Sequence, residues 1–114
     1  MIINVARRRR ATLMPRGIFM AAYIVFTRER LRDPVAFGAY GEKAGGTLAG
    51  HTAKPLAFYG AHETLEGAPI EGAVIVEFPD MAAAKAWYGS PAYQDAVKHR
   101  FAGADYRVFI TEGL

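Results

Sequence analysis

Three histidines, His51, His62 and His99, are the side chains that would ordinarily change charge near neutral pH. Their spacing contains neither an H-x-x-x-H nor an H-E-x-x-H pattern, so they do not form a metal set, and no metal site is expected. The chain has no cysteine, which removes thiolate ligands, thiol nucleophiles and disulfides from consideration. His51 and His62 fall in loops. His99 is a candidate general base if geometry supports it; the plainer reading is that His99 and Arg100 sit near a helix C-terminus, where positive charge is favourable. Asp95 and Lys98, three residues apart, read as a surface pair. Glu63 and Glu66 would act as an acid/base pair only if their loop folded inward. Ser90 lacks the G-x-S-x-G surroundings of a nucleophile elbow, and Gly41, Gly45 and Gly46 lack the lysine-bearing pattern of a phosphate loop. No catalytic set is recognised and no cofactor is expected.

The aromatic residues are more suggestive. Trp87, Tyr88 and Tyr93 combine large apolar surfaces with polar tips and could line a pocket between helix and sheet. Tyr40 and Tyr59 could border the same opening. The alternative, which aromatic residues at helical spacing favour, makes Trp87 a core anchor and sends the tyrosine hydroxyls to backbone acceptors. The candidate ligand-binding set is Tyr40, Tyr59, Trp87, Tyr93, His99 and Arg100.

The elements that must position these residues can be read from pattern. Ala22–Thr27 is aromatic and β-branched, a first strand. Asp33-Pro34 starts a helix, because aspartate accepts from free first-turn N–H groups and proline needs no donor there. Phe37, Tyr40 and Ala44 share one face of it. Gly45-Gly46 should weaken or end that helix, with Leu48 extending its apolar face. Pro55–Tyr59 reads as a second strand, and its leading proline suits an edge. Gly60–Gly72 is a polar connection. Ala73–Phe78 is the third strand, and Asp80 caps a helix over Met81–Tyr88. Gly89 breaks it, Ser90-Pro91 starts another running to about Phe101, and Tyr106–Thr111 is the last strand.

The order βαββαβ predicts an α+β, ferredoxin-like fold: a four-stranded antiparallel sheet with helices on one face. An antiparallel sheet with one wet face should alternate apolar and polar residues. Here Tyr23/Val25 and Ile24/Phe26 are apolar on both faces, as are Val74/Val76/Phe78 and Ala73/Ile75. Helices of one chain cover one face. The other would present an apolar patch that a symmetric partner could bury, and a chain of 114 residues gains from that extra burial. A homodimer through the sheet face is therefore expected.

A strand ending in Glu77-Phe78-Pro79, followed by Ala84, Trp87-Tyr88, Ser90-Pro91, Tyr93, Arg100 and Glu112-Gly113, resembles the DUF1330 family of uncharacterised bacterial proteins. Leu65-Glu66-Gly67 matches as well. The resemblance covers about residues 20–114. It implies membership of the dimeric α/β-barrel superfamily, with two sheets facing each other, and brings no assigned activity. Many relatives carry Gly-Gly-Arg before the second strand, where this chain has Thr52-Ala53-Lys54. A basic residue often precedes their third strand, where this chain has Glu71-Gly72.

The formal charge of +3 belongs to the N-terminal segment. Residues 1–19 contain Arg7, Arg8, Arg9, Arg10 and Arg16 and no acid, and positions 20–114 carry nine basic against eleven acidic residues. Residues 1–19 are expected to be a disordered basic extension and 20–114 a single domain. Met20 as the true start is the plainest account of the extension; a functional basic arm and a targeting segment are the alternatives. No apolar run approaches the roughly 20 residues of a membrane span. The absence of cysteine fits a reducing cytoplasm, the expected location. Nucleic acid is disfavoured, since strand three lacks the base-stacking aromatic pattern of RNA-recognition domains. Two functional expectations remain: a small apolar or aromatic molecule bound in a cleft between helices and sheet, or a non-catalytic structural or interaction module.

Overall fold

The computed structural model describes residues 20–114; the reading of residues 1–19 lies outside the described residues. Four strands and three α-helices follow one another as β1 (Ala22–Leu31), α1 (Pro34–Ala44), β2 (Lys54–Phe58), β3 (Gly72–Phe78), α2 (Met81–Tyr88), α3 (Pro91–Gly103) and β4 (Ala104–Glu112). A short 3₁₀ turn, Gly45–Leu48, continues from α1. The sheet order is β2-β3-β1-β4, and every neighbouring pair is antiparallel. This is the ferredoxin-like arrangement, with β3 inserted between β1 and β2, and with β2, which carries Pro55 at its second position, on an edge.

Each helix starts where local chemistry says it should. The Asp33 carboxylate accepts from the Val35 and Ala36 amides at 3.0 and 3.2 Å, and Pro34 occupies the first turn. Asp80 accepts from Ala83 N at 2.7 Å, and Ser90 Oγ from Tyr93 N at 3.3 Å. Such caps are each worth about 1 kcal/mol.

Register explains the two faces. Ile24 pairs with Val76 and Ile110, and Phe26 with Val74 and Val108; these residues turn to the helices and join Phe78, Trp87, Tyr93 and Val97 in the core. On the opposite face Val25 lies between Ile75 and Phe109, and Ala57 continues the row beyond Ile75. That apolar row is flanked by Glu77, Tyr23 and Thr111 on one side and by Ala73, Thr27 and Arg107 on the other. The uncovered face is thus an apolar stripe between mixed rows, narrower than a sheet greasy throughout.

Several boundaries differ from the sequence reading. β1 runs four residues further, to Leu31, because Arg30 and Leu31 pair with Asp105 and Ala104 of β4. Ion pairs from Arg30 and Arg32 to Asp105, at 3.8 and 2.7 Å, hold this polar end. α3 extends to Gly103 and passes directly into β4. Glycine is needed at 103: a Cβ there would lie 2.6 Å from Phe37 N and 2.9 Å from Asp33 O, and the Gly103 carbonyl accepts from the Arg32 and Asp33 amides. The two helix ends are thereby joined backbone to backbone. Asp95 pairs with Lys43 of α1 at 3.4 Å rather than with Lys98, since the α1–α3 contact offers a partner that local spacing does not reveal.

Candidate functional site

A cavity of about 460 Å³ lies between α1 with its 3₁₀ extension and strands β1, β2 and β3. That size is within the ordinary range for small-molecule sites. Its wall is apolar over most of its extent: Phe26, Leu48, Phe58, Val74 and Val76 are typical. Phe58 is 72% exposed because it stands on the edge strand, at the rim.

Trp87 closes one side. It is only 3% exposed and is stacked on Phe78 with ring centroids 5.6 Å apart, edge-on to Phe26 at 6.2 Å, and 4.2 Å from Tyr93. Its indole N–H donates to Thr47 Oγ1 at 3.1 Å. The 3₁₀ turn after Gly45-Gly46 therefore has a purpose: it brings Thr47 to the indole and Leu48 to the wall. Trp87 is a core anchor and a cavity residue at once.

Next to it stand tyrosines of the wall, with two arginines behind them. Tyr40 and Tyr59 line the cavity. Behind them the Tyr40 hydroxyl bonds the Tyr93 hydroxyl at 2.9 Å, and the Tyr59 hydroxyl bonds that of Tyr106. These hydroxyls do not reach backbone acceptors; they pair with one another across 53 and 47 residues of sequence. Tyr59 adopts φ +52°, a left-handed conformation unusual for a bulky residue. Its ring covers Gly72, where a Cβ would come within 2.7 Å of Tyr59 Cδ1. Glycine at 72 thus makes room for a strained residue that aims its ring inward.

Arg100 sits among these rings. It is 3% exposed, and its guanidinium carbon lies 4.8, 5.3 and 5.6 Å from the ring centroids of Tyr106, Phe101 and Tyr40. Among the described residues no carboxylate pairs with it, and its Nε and Nη2 are buried without hydrogen-bond partners. Those two atoms form one edge of the planar group, the fork that grips a carboxylate. A ring contact is worth about 2 kcal/mol where desolvated and about 0.5–1 where exposed, as at Phe101, while burying the ion costs several kcal/mol and each unpartnered donor about 1–3 more. The surrounding tyrosine oxygens favour the charge, but Nε and Nη2 are left without a hydrogen-bond partner of their own. Arg28 is better served: it lies over the rings of Phe37 and Tyr59 at 5.2 and 5.3 Å, and its Nε is 3.3 Å from Glu71 Oε1, an ion pair without hydrogen-bond geometry.

Tyr40, Tyr93 and Tyr106 stay protonated. Burial pushes the Tyr40 phenol up. Burial and the neighbouring Tyr40 oxygen raise Tyr93; burial and the bond with Tyr59 raise Tyr106. For Arg100 burial works against the charge, but the oxygens of Tyr93 and Tyr40 outweigh it and its pKa lies above the ordinary value. The group is a cation.

The structure thus brings Tyr40, Tyr59 and Trp87 to the cavity wall, with Tyr93 and Arg100 directly behind Tyr40. His99 is half-buried on α3 and does not line the cavity. His62 is exposed, with Nε2 3.1 Å from the Ile70 carbonyl. Among the described residues no group of three His, Asp or Glu side chains could hold a metal ion, and no helix is long and apolar enough to cross a membrane. Tyr106, Arg28 and Thr47 escaped the sequence reading. Tyr106 had a signal, since it shares its strand parity with Val108 and Ile110 and so had to turn its polar tip inward. Arg28 and Thr47 had none.

Three comparisons bear on this geometry. A protein of unknown function from Rhodopseudomonas palustris is 25% identical, over 97% of this chain and 92% of that one, with a TM-score of 0.67. A dimeric protein of unknown function and ferredoxin-like fold from Bacteroides fragilis is 17% identical, over 82% and 96%, at 0.54. SnoaB, a cofactor-independent oxygenase from Streptomyces nogalater, is 12% identical, over 83% and 94%, at 0.50. The last two likenesses are of fold alone. No curated protein sequence matches significantly. Residues 21–114 match the model of DUF1330, a domain of unknown function, and the chain belongs to that family.

Proposed function

We propose that the protein is a homodimer, its sheets face to face, in which each protomer binds a small apolar or aromatic molecule in the cavity between α1 and the sheet. The observation that carries the binding reading is the cavity itself, with Phe26, Val74, Val76 and Trp87 on its walls beside Tyr40 and Tyr59. Binding alone, or cofactor-free chemistry on the bound molecule, would both use such a space. The Bacteroides fragilis protein, described as dimeric, and the row Ala57–Ile75–Val25–Phe109 support the pairing.

Trp87 is the single tryptophan, so its fluorescence reports on the cavity. A library of small aromatic and aliphatic compounds, screened by thermal shift and Trp87 fluorescence, should yield ligands that raise the melting temperature and change the emission together. Ala44→Phe, which places a ring in the cavity, should abolish both responses. A library that moves neither signal would sink the binding reading.

The apolar row by itself would also serve a protein whose only product is the dimer. Light scattering decides the pairing: twice the 12.4 kDa chain is expected, with Val25→Lys giving protomers. A wild-type protomer at working concentration would remove the pairing and leave the cavity.

A further inference from the structure

We infer that the cavity selects a monocarboxylate, an apolar or aromatic body whose carboxylate sits at the Tyr40–Tyr59 end in the field of the Arg100 cation. The inference rests on reading the cavity as a small-molecule site and adds the chemical class of its occupant.

Donors outnumber acceptors in this layer. Tyr40 bonds Tyr93 and Tyr59 bonds Tyr106. In each pair one hydroxyl donates and the other accepts, so each pair retains one free O–H proton. If the inner members, Tyr93 and Tyr106, donate, the free protons belong to Tyr40 and Tyr59, the two that line the cavity. Two O–H donors then belong to residues of the cavity wall, matching in number the two oxygens of a carboxylate. Arg100 adds more donors and no acceptor: its Nε and Nη2 have no partner, and it is 3% exposed. Among the described residues no acid approaches it within ion-pair distance, while Glu71, the acid in this region, is taken by Arg28 and the Leu31 amide. The layer is thus rich in donors, positively charged, and short of an acceptor. Phenol burial keeps Tyr40, Tyr93 and Tyr106 protonated, so these three remain donors at neutral pH. A neutral hydrocarbon would leave these groups as they are. A carboxylate on an apolar body satisfies both the polar end and the apolar wall.

Arg100 stands behind Tyr40 and is not itself on the wall, so its part is electrostatic: it is a positioning residue. The test uses three probes of one shape, phenylacetate, phenylacetamide and ethylbenzene, titrated into the full chain by calorimetry and Trp87 fluorescence. Wild type should bind the acid about tenfold more tightly than the amide, the discrimination one charge-assisted hydrogen bond provides. Arg100→Met should erase that preference, bringing the acid's affinity down to that of the amide. Arg100→Lys, which keeps the charge, should restore part of it. Should Arg100→Met fail to fold, Tyr59→Phe removes one wall donor with the charge intact and should halve the preference or more. Equal binding of acid and amide to wild type overturns the inference and leaves the binding reading standing, because ethylbenzene still binds. If none of the three binds, both fall.

Discussion

Two aromatic centres meet in this protein, one around Trp87 and one around Arg100, and they are finished to different degrees. At Trp87 every polar atom has a local partner: the indole N–H has Thr47, and Ser90 both donates to the Trp87 carbonyl and accepts from Tyr93 N. At Arg100 hydroxyls share protons among themselves and a buried cation holds two unpartnered donors. Tyr93 belongs to both, 4.2 Å from the Trp87 ring and hydrogen-bonded to Tyr40. A core residue satisfied on all sides serves stability. A buried layer left short of acceptors, beside a cavity, is where natural proteins give up stability for a site. Removal of the two centres should therefore cost very different amounts of stability.

The largest effect should come from Trp87→Ala. It removes the ring that touches Phe26, Phe78 and Tyr93 and leaves Thr47 Oγ1 with only its bond to the Ala44 carbonyl, and should cost about 3–5 kcal/mol. Since domains are stable by about 5–15 kcal/mol, urea unfolding followed by circular dichroism should show a far lower midpoint, or a chain already unfolded. A loss below about 1 kcal/mol, the size of an average point substitution, would mean that the ring serves the cavity and not the core.

Next comes Gly72→Ala. The new methyl would meet Tyr59 Cδ1 at 2.7 Å, so the ring must swing out and its bond to Tyr106 must break. About 1–3 kcal/mol should be lost, with Tyr59 becoming reactive to tyrosine-modifying reagents. Unchanged stability and reactivity would show that Tyr59 is not pinned there, and the Arg100 centre would lose one of its walls.

Both of these residues show how far sequence carries. Local chemistry was legible: Asp33-Pro34, Asp80 and Ser90-Pro91 mark helix starts because a side chain satisfies backbone donors within three residues, and no distant partner is needed. Strand parity separated Ile24 and Phe26 from Val25, and so the helix-facing core from the apolar row. Trp87 and Tyr93 could be singled out because a helix spacing and a cap fix their places. What could not be read was any feature made by residues far apart in the chain. The extra length of β1 depends on β4. The positive φ of Tyr59 depends on Tyr106 and on the space above Gly72. Arg100 sits in the last turn of α3, as dipole reasoning allows, yet its burial under Tyr40 and Tyr106 follows only from the docking of α1 and β4 against α3.

A smaller effect, and one with a pH signature, separates the centres at the residue they share. Tyr93→Phe keeps the ring against Trp87 and deletes the bond to Tyr40, for a loss of about 1 kcal/mol at neutral pH. The folded-state pKa of Tyr93 lies above its unfolded value, so folding favours the neutral phenol. That contribution is fully present below about pH 10, the unfolded value, and is lost progressively as pH rises above it. The deficit of Tyr93→Phe relative to wild type should therefore shrink between pH 9 and 11. Melting temperatures measured across that range check it, and a deficit that stays constant would place the hydroxyl in an environment no different from water.

The smallest effect should be the most telling. Arg100→Met exchanges a cation lacking an acid partner for an apolar side chain of similar reach. It forfeits three ring contacts and relieves the burial of a charge and two donors, so the two sides nearly cancel. Replacing buried charge by apolar volume is commonly neutral or stabilising, and a change within about 1 kcal/mol of zero is expected, of either sign. Urea unfolding at neutral pH measures it. A loss as large as that of Trp87→Ala would mean that the tyrosine cage satisfies the guanidinium after all. The two centres would then be alike, both structural, and the donor-rich end of the cavity would have no spare capacity for a ligand.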